Sequence, residues 1–551
     1  MHLSLQFAHS LNKIFPDEPF LEKPYKSGSA LRRELFHLQL AFYLSDGLRD
    51  KFKIEIHSPL KEFIRVYEVR NVPVLLTHYP WSDDYYLRKT PGLYPDLLLP
   101  SDGYVTTVSG QWRSLWLETE IPSDYPAGNY SIAVTLTHID HPECTGTETF
   151  TLQIIPAELP KQTLKHTEWF HSDCIAKYYG LDIFSEKYWE YVGNYMQQTH
   201  RYGVNMILTP IFTPPLDTEI GGERPTVQLV DVILNNNTYR FGFDRLKRFI
   251  DLARQNGIEY FEFSHLFTQW GAKKAVKVIA TVDGEYRQLF GWHTDAASTE
   301  YIRFLNSFIP ALKSFMNTLG LLNNCFFHIS DEPSLEQEDS YRSAVNSVQT
   351  VLADCNVIDA LSDYQFYEKG LIRIPIPSND RVEEFIEKGV SHRWTYYCCG
   401  QVDKVSNRMI AMPSERTRIF GMQLFKYQIE GFLHWGYNFW FNRLSQKNIN
   451  PFVCTDTEDT YPGGDAFQVY PGENGQPLPS IHQMLFADGL QDMRALQLLS
   501  ELTSFEDAVK LLDSTMEENI TFNIYPHDPI RLLSARETVN QKIASILASK
   551  C

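Results

Sequence analysis

The stretch CFFHISDEPS, Cys325–Ser334, decides how this chain is read. Largely apolar residues of strand type run into adjacent carboxylates, Asp331 and Glu332, and a proline follows at once. Upstream, TEYIRFLNSFIPALKSFMNTLG aligns Tyr301, Phe304, Leu305 and Phe308 at helical spacing, continues past Pro310 to Phe315 and stops at Gly320. Downstream, residues 340–354 again carry helical spacing. The carboxylate pair therefore ends a buried strand held between two helices.

The same unit repeats. FDRLKRFIDLARQNG aligns Leu246, Phe249, Ile250 and Ala253 and stops at Asn256–Gly257; residues 185–202 stack Tyr188, Tyr191, Val192, Tyr195 and Met196. Further helices are predicted near 381–388, 414–429 and from 481 onward. Between them lie LKHTEWF, NMILTP, YFEFSH, CFFHIS, DALSDY, LIRIPI, RWTYYC and GFLHWGYNFW, eight candidate strands. Strands alternating with helices and closing at eight predict an α/β chain with a (β/α)8 TIM-type barrel. The fifth unit has a poor helix, and a doubly wound sheet is the alternative.

Before residue 158 the apolar period is two. YSIAVTLTH sets Tyr130, Ile132, Val134 and Leu136 on one face, and TFTLQI repeats this with Phe150, Leu152 and Ile154. FKIEIHS and FIRVYEV alternate similarly, with turn signals such as YPAGN between strands. An all-β sandwich over 1–158 is expected, then a catalytic barrel with C-terminal helices over 159–551, the boundary marked by Pro156 and Pro160.

Composition narrows the partners. The 551 residues include 50 Lys+Arg against 68 Asp+Glu, a net charge of −18 that disfavours a nucleic-acid backbone. No apolar run approaches the ~20 residues of a membrane span. MHLSLQFAHSLNKIF lacks the pattern of an export signal, so a cytoplasmic location is expected. The eight cysteines have neither zinc-site nor disulfide spacing, and reduced thiols are expected. Composition says nothing of oligomeric state.

In a barrel of this kind the active site forms at the C-terminal ends of the strands. Asp331–Glu332 would lie there, with His171 and Asp173 after the first strand, His265 after the third, Trp394, Tyr396 and Tyr397 on the seventh, and Trp435, Tyr437, Asn438 and Trp440 after the eighth. Carboxylates among aromatics suit a sugar-cleaving site. The competing structural reading makes S-D-E-P a helix start, with Ser330 or Asp331 as cap.

Adjacent carboxyls suit one reaction best. An ordinary retaining glycosidase needs carboxyls ~5 Å apart on either side of the scissile bond, which sequence neighbours do not easily provide. They can serve a substrate whose own 2-acetamido oxygen attacks the anomeric carbon. Asp331 would hold the acetamido N–H and stabilise the oxazolinium charge. Glu332, raised towards ~6 by its negative neighbour and by burial, would act as acid and then base.

HISDEP, RWTYYCC, GFLHWGYNFW, GGDAFQVYPG and SIHQMLFADGLQDMRAL occur in the order found in glycoside hydrolase family 123, which residues 160–500 resemble. The resemblance implies a β-sandwich followed by a (β/α)8 barrel and an exo-acting, retaining β-N-acetylgalactosaminidase working by substrate assistance, without cofactor or metal. It implies Asp331 as the acetamido-orienting residue and Glu332 as acid/base. Trp394 and Tyr396 match the family's W-x-Y stretch as substrate-binding residues, Trp435, Asn438 and Trp440 become platform and wall, and His171 and Asp173 contacts to sugar hydroxyls; His265 and Trp270 are further candidates. The sandwich is expected to buttress the barrel, and Cys398–Cys399 to be packing groups. Two other functions fit the residues: a non-catalytic carbohydrate-binding protein, and a metal-dependent hydrolase using His171, Asp173, His328, Asp331 and Glu332.

Overall fold

The computed structural model describes residues 2–47 and 49–550. The N-terminal part is two five-stranded sheets. One runs in the order Leu3–His9, Leu35–Leu44, Trp112–Glu120, Ile64–Val74, Gly92–Pro100; the other Ser27–Arg32, Thr145–Glu158, Gly128–His138, Arg49–His57, Tyr104–Val108. Phe7, Leu38, Leu40, Phe42 and Leu115 of the first interlock with Phe52, Ile132, Val134, Phe150 and Leu152 of the second. The period-two pattern is the cause: Ile132, Val134 and Leu136 are buried while Ser131, Ala133 and Thr135 are not.

Eight parallel strands follow: β1 (Lys165–Glu168), β2 (Met206–Thr209), β3 (Tyr260–Phe263), β4 (Cys325–Phe327), β5 (Asn356–Ala360), β6 (Ile374–Ile376), β7 (Trp394–Tyr396) and β8 (Gly431–His434). They pair in the order β6-β5-β4-β3-β2-β1-β8-β7. The remaining seam is bridged at Ser378 and Tyr396, where Tyr396 N donates to Pro377 O (3.0 Å) and Asn379 N to Tyr396 O (2.8 Å). The result is a nearly closed barrel of TIM type. Its interior is filled by Met206, Leu208, Phe326, Ile358, Ile374, Trp394 and Leu433.

The outer layer is thinner than the (β/α)8 expectation. The helix after β5 is four residues, Gln365–Glu368, and that after β6 is six, Val382–Glu387. β5 begins three residues before the expected DALSDY, because Asn356 and Val357 pair with Phe326 and Phe327 of β4. Two hairpins form an extra four-stranded sheet: Asp231–Asn235 with Thr238–Gly242, and Val278–Val282 with Glu285–Phe290. Their turns use left-handed Asn236–Asn237 and Asp283–Gly284, the backbone that two-residue hairpin loops require.

The helix Ile481–Leu502 joins the two parts. Gly421 lies so close to it that a Cβ would sit 1.7 Å from Gly489 O. The seven described cysteines are unbridged, and Cys551 lies outside the described residues. Among the described residues, no helix is long and apolar enough to cross a membrane.

Candidate active site

The residues after Phe327 leave β4 at its C-terminal end and put a charged knot at the barrel mouth. His328 is fully buried between two carboxylates, with Nε2 2.6 Å from Glu262 Oε1 on β3 and Nδ1 3.1 Å from Asp359 Oδ1 on β5. Burial alone would lower its pKa, but the hydrogen bonds to Asp359 and Glu262 outweigh it and lift the imidazole to about 9. The ring is thus an imidazolium donating both N–H groups. Glu262 also accepts from Trp169 Nε1 (2.7 Å) and Thr167 Oγ1, and Asp359 from Tyr341 Oη (2.6 Å) and Ile329 N (3.0 Å).

Asp331 follows, buried, and among the described residues none donates to its carboxyl. Desolvation first and the Glu332 charge second push it well above the usual carboxylate range, while the His328 imidazolium pulls the other way. Glu332 has left-handed backbone, φ 42°, a conformation costly for a residue with a Cβ and concentrated at functional sites. Its N–H is fixed on Ala360 O (3.0 Å), and its carboxyl projects into the open mouth and accepts from Tyr396 Oη (2.6 Å). Loss of water raises its pKa and the Tyr396 hydroxyl opposes the rise. Because the side chain is exposed here, solvent moderates that rise until a ligand covers it. Neither residue caps a helix: Ser334 and Gln337 form a capping box, and the helix starts at Glu338.

His265, past the end of β3, is 1% exposed, and neither ring nitrogen has a partner. It stacks on His328 (centroids 4.2 Å apart) and meets Trp169 edge-on. Its pKa lies well below 6.5 through burial and then the His328 charge. Trp435 is half-buried, its Nε1 donating to Asp465 Oδ2 (2.9 Å) and its ring against Tyr461. Burial raises Asp465 to about 7, and Glu332 contributes to the rise. Trp270, also left-handed at φ 58°, donates its N–H to Asp331 O (2.9 Å) and exposes its ring.

Asp331, Glu332, Tyr396 and Trp435 thus lie at the mouth, with His265 enclosed on His328 beneath them; the other expected residues are spent elsewhere. Asp173 is clamped by Arg224 through Nε (2.8 Å) and Nη2 (2.9 Å). His171 accepts from Arg224 Nη2 at Nδ1 (3.0 Å), donates from Nε2 to Trp435 O (3.0 Å), and is held neutral with a pKa of about 3 by burial and that guanidinium. Asn438 exchanges both amide groups with the His171 backbone. Trp394 fills the barrel interior, where a Cβ on Gly431 would lie 2.1 Å from its indole. Trp440 packs on Tyr178 and Tyr195 in the helical layer, and Tyr397 and Tyr437 are likewise core. Trp394 and Tyr396 share one face of β7 and the same interior cluster; Trp394 packs against Phe326 of β4, while Tyr396, at the C-terminal end of the strand, reaches Glu332.

His265, His328 and Asp359 lie close enough to share an ion. Both His328 nitrogens are already donors to carboxylates, which leaves the ring no lone pair for a metal. The set His171, Asp173, His328, Asp331 and Glu332 is split, its first two members bound to Arg224.

A model of the glycoside hydrolase 123 catalytic domain matches residues 169–499. The chain belongs to glycoside hydrolase family 123. A family 123 glycoside hydrolase from Clostridium perfringens, described for glycolipid glycan hydrolysis, is similar over 99% of this chain and 98% of its own, at 14% identity and a TM-score of 0.75. A Bacteroides uniformis β-glucuronidase (8% identity, 89% of this chain and 49% of its own, TM-score 0.29) and an Eisenbergiella tayi β-galacturonidase (10%, 88% and 72%, 0.31) are too distant in structure to bear on the site. No curated protein matches the sequence. Family 123 membership makes this chain a glycoside hydrolase by family.

Proposed function

We propose that this family 123 chain removes terminal β-linked 2-acetamido sugars, N-acetylgalactosamine being the expected one, with retention of configuration and through an oxazolinium intermediate. The observation that carries this is an Asp331 carboxyl that no described residue donates to, next to a Glu332 held by Tyr396. An acetamido N–H supplies the missing donor. Bonded to it, Asp331 becomes the carboxylate that steadies the acetamido group and the positive charge of the ring formed when its oxygen attacks the anomeric carbon. That same negative charge keeps Glu332 protonated until it gives its proton to the leaving oxygen. Glu332 then takes a proton from the water that opens the oxazolinium, restoring the β configuration. The His328 imidazolium favours the ionised form of Asp331, and the unpartnered His265 is placed to meet a sugar hydroxyl.

The test follows the anomer first released from a chromogenic β-2-acetamido glycoside by proton NMR, with azide added to Glu332→Ala. The β anomer from wild type and a β-glycosyl azide from the variant are expected. An α anomer first would overturn the reading.

A further inference from the structure

Residues 75–91, LLTHYPWSDDYYLRKTP, connect the sandwich strands Ile64–Val74 and Gly92–Pro100, yet they cross to the barrel mouth. The crossing is firmly tied. Leu75 N and Leu76 N donate to Asp456 Oδ2 (3.1 and 2.8 Å), and the Asp83 carboxylate takes a fork from Arg416 (2.8 and 2.8 Å). Leu87 N donates to Ala411 O (3.0 Å), and Tyr79 and Tyr86 pack on Val402, Met409 and Met412. Tyr79 Oη donates to Thr460 O (2.6 Å). On this fixed base Trp81 stacks against Tyr79, centroids 4.5 Å apart and planes 21° from parallel, with 64% of its surface bare.

The slab stands on one side of the catalytic pair. Tyr79 is held on Thr460 O, and the next residue, Tyr461, meets the Trp435 ring, centroids 5.1 Å apart. Trp435 and Cys398 pack against the cluster that contains Tyr396, and Tyr396 holds Glu332. Asp331, by contrast, feels the His328 imidazolium, on which His265 stacks. A leaving group departs on the side of the acid that protonates it, so the Glu332 side is the aglycone side. Nothing in the fold of the loop requires an exposed indole, and a rigidly held aromatic face matches the C–H face of a pyranose.

We propose that Trp81, backed by Tyr79, is the platform for the aglycone sugar, the pyranose next to the bond being cleaved, so that the sandwich completes the substrate site. This rests on the assignment of Glu332 as the acid. The test compares wild type, Trp81→Ala and Trp81→Phe on a 2-acetamido β-disaccharide and on the corresponding glycosyl fluoride, which has no aglycone sugar. The ratio of kcat/KM, disaccharide over fluoride, should fall at least about five-fold in Trp81→Ala, the worth of one aromatic contact, and largely return in Trp81→Phe. An unchanged ratio overturns the platform.

A binding arm separates this from the hydrolase reading. In a Glu332→Gln background, Trp81→Ala should weaken the calorimetric Kd of the disaccharide at least about five-fold more than that of the 2-acetamido monosaccharide. Equal weakening of the two, or none, overturns the platform whatever the turnover. Wild type inert on both substrates would instead count against the hydrolase reading, leaving the binding arm to decide the platform. An unchanged disaccharide Kd with altered sedimentation would make the slab a subunit contact and end the proposal.

Discussion

Where the helix Ile481–Leu502 meets the sandwich, a chain of buried charge has every carboxylate paired. Arg418 forks onto Asp492 (2.7 and 2.9 Å), Arg536 bridges Asp492 (2.8 Å) to Glu34 (2.6 Å), and Asp488 holds His37 (2.7 Å). Arg201 and His37 share Glu118. The barrel mouth is left open: among the described residues none donates to the Asp331 carboxyl, and His265 lacks any partner. Buried polar groups in folded proteins are mostly satisfied, and a carboxyl without a donor beside an unpartnered imidazole at the end of the barrel fits a ligand site. The junction carries structure; the mouth is where the proposed sugar site lies.

That contrast can be broken by mutation. The largest effect is expected at the mouth: Glu332→Gln should cost about 10²–10⁴-fold in kcat/KM on substrates with poor leaving groups, the usual range for lost general acid catalysis, with the melting temperature nearly unchanged. Next comes the junction. Arg418→Met strands part of the Asp488–Asp492 charge and should cost about 3 kcal/mol in urea unfolding, with turnover at 25 °C retained. His265→Phe sharpens the comparison, since it removes a buried group that has no partner. Stability should hold within about 0.5 kcal/mol while KM rises about ten-fold, the worth of one hydrogen bond to sugar. A large stability loss in His265→Phe would place that histidine with the junction instead.

The smallest effect is in pH. His37 and His328 are both raised to about 9, carboxylate partners outweighing burial in each. A raised folded pKa stabilises fully below the unfolded value of about 6.5 and is lost as pH climbs through about 9. The melting temperature should therefore fall between these values, and His37→Gln should flatten the slope.

Much of this organisation is legible in sequence. Period-two strands before residue 158, eight strand segments after it, and the carboxylates ending the fourth can all be read from spacing. The fifth strand is displaced because pairing with Phe326 and Phe327, which spacing does not show, sets its register. The hairpin at Asp283–Gly284 has a local turn signal that the helix–strand rhythm obscures. Site residues are harder. His171, Asp173, Asn438 and Trp440 have the right chemistry, but Arg224, the His171 backbone and the helical layer take them up. Glu262, a carboxylate flanked by Phe261 and Phe263 in a buried strand, is the clearest missed signal. Trp81 is missed for another reason: the loop that carries it travels to the barrel only in three dimensions.

The most direct test of the catalytic claim replaces the N-acetyl group of a chromogenic 2-acetamido glycoside by its mono-, di- and trifluoroacetyl forms. If the acetamido oxygen is the nucleophile that Asp331 steadies, log(kcat/KM) should fall steeply and linearly as fluorine withdraws electrons from it. Similar rates across the series would contradict that role.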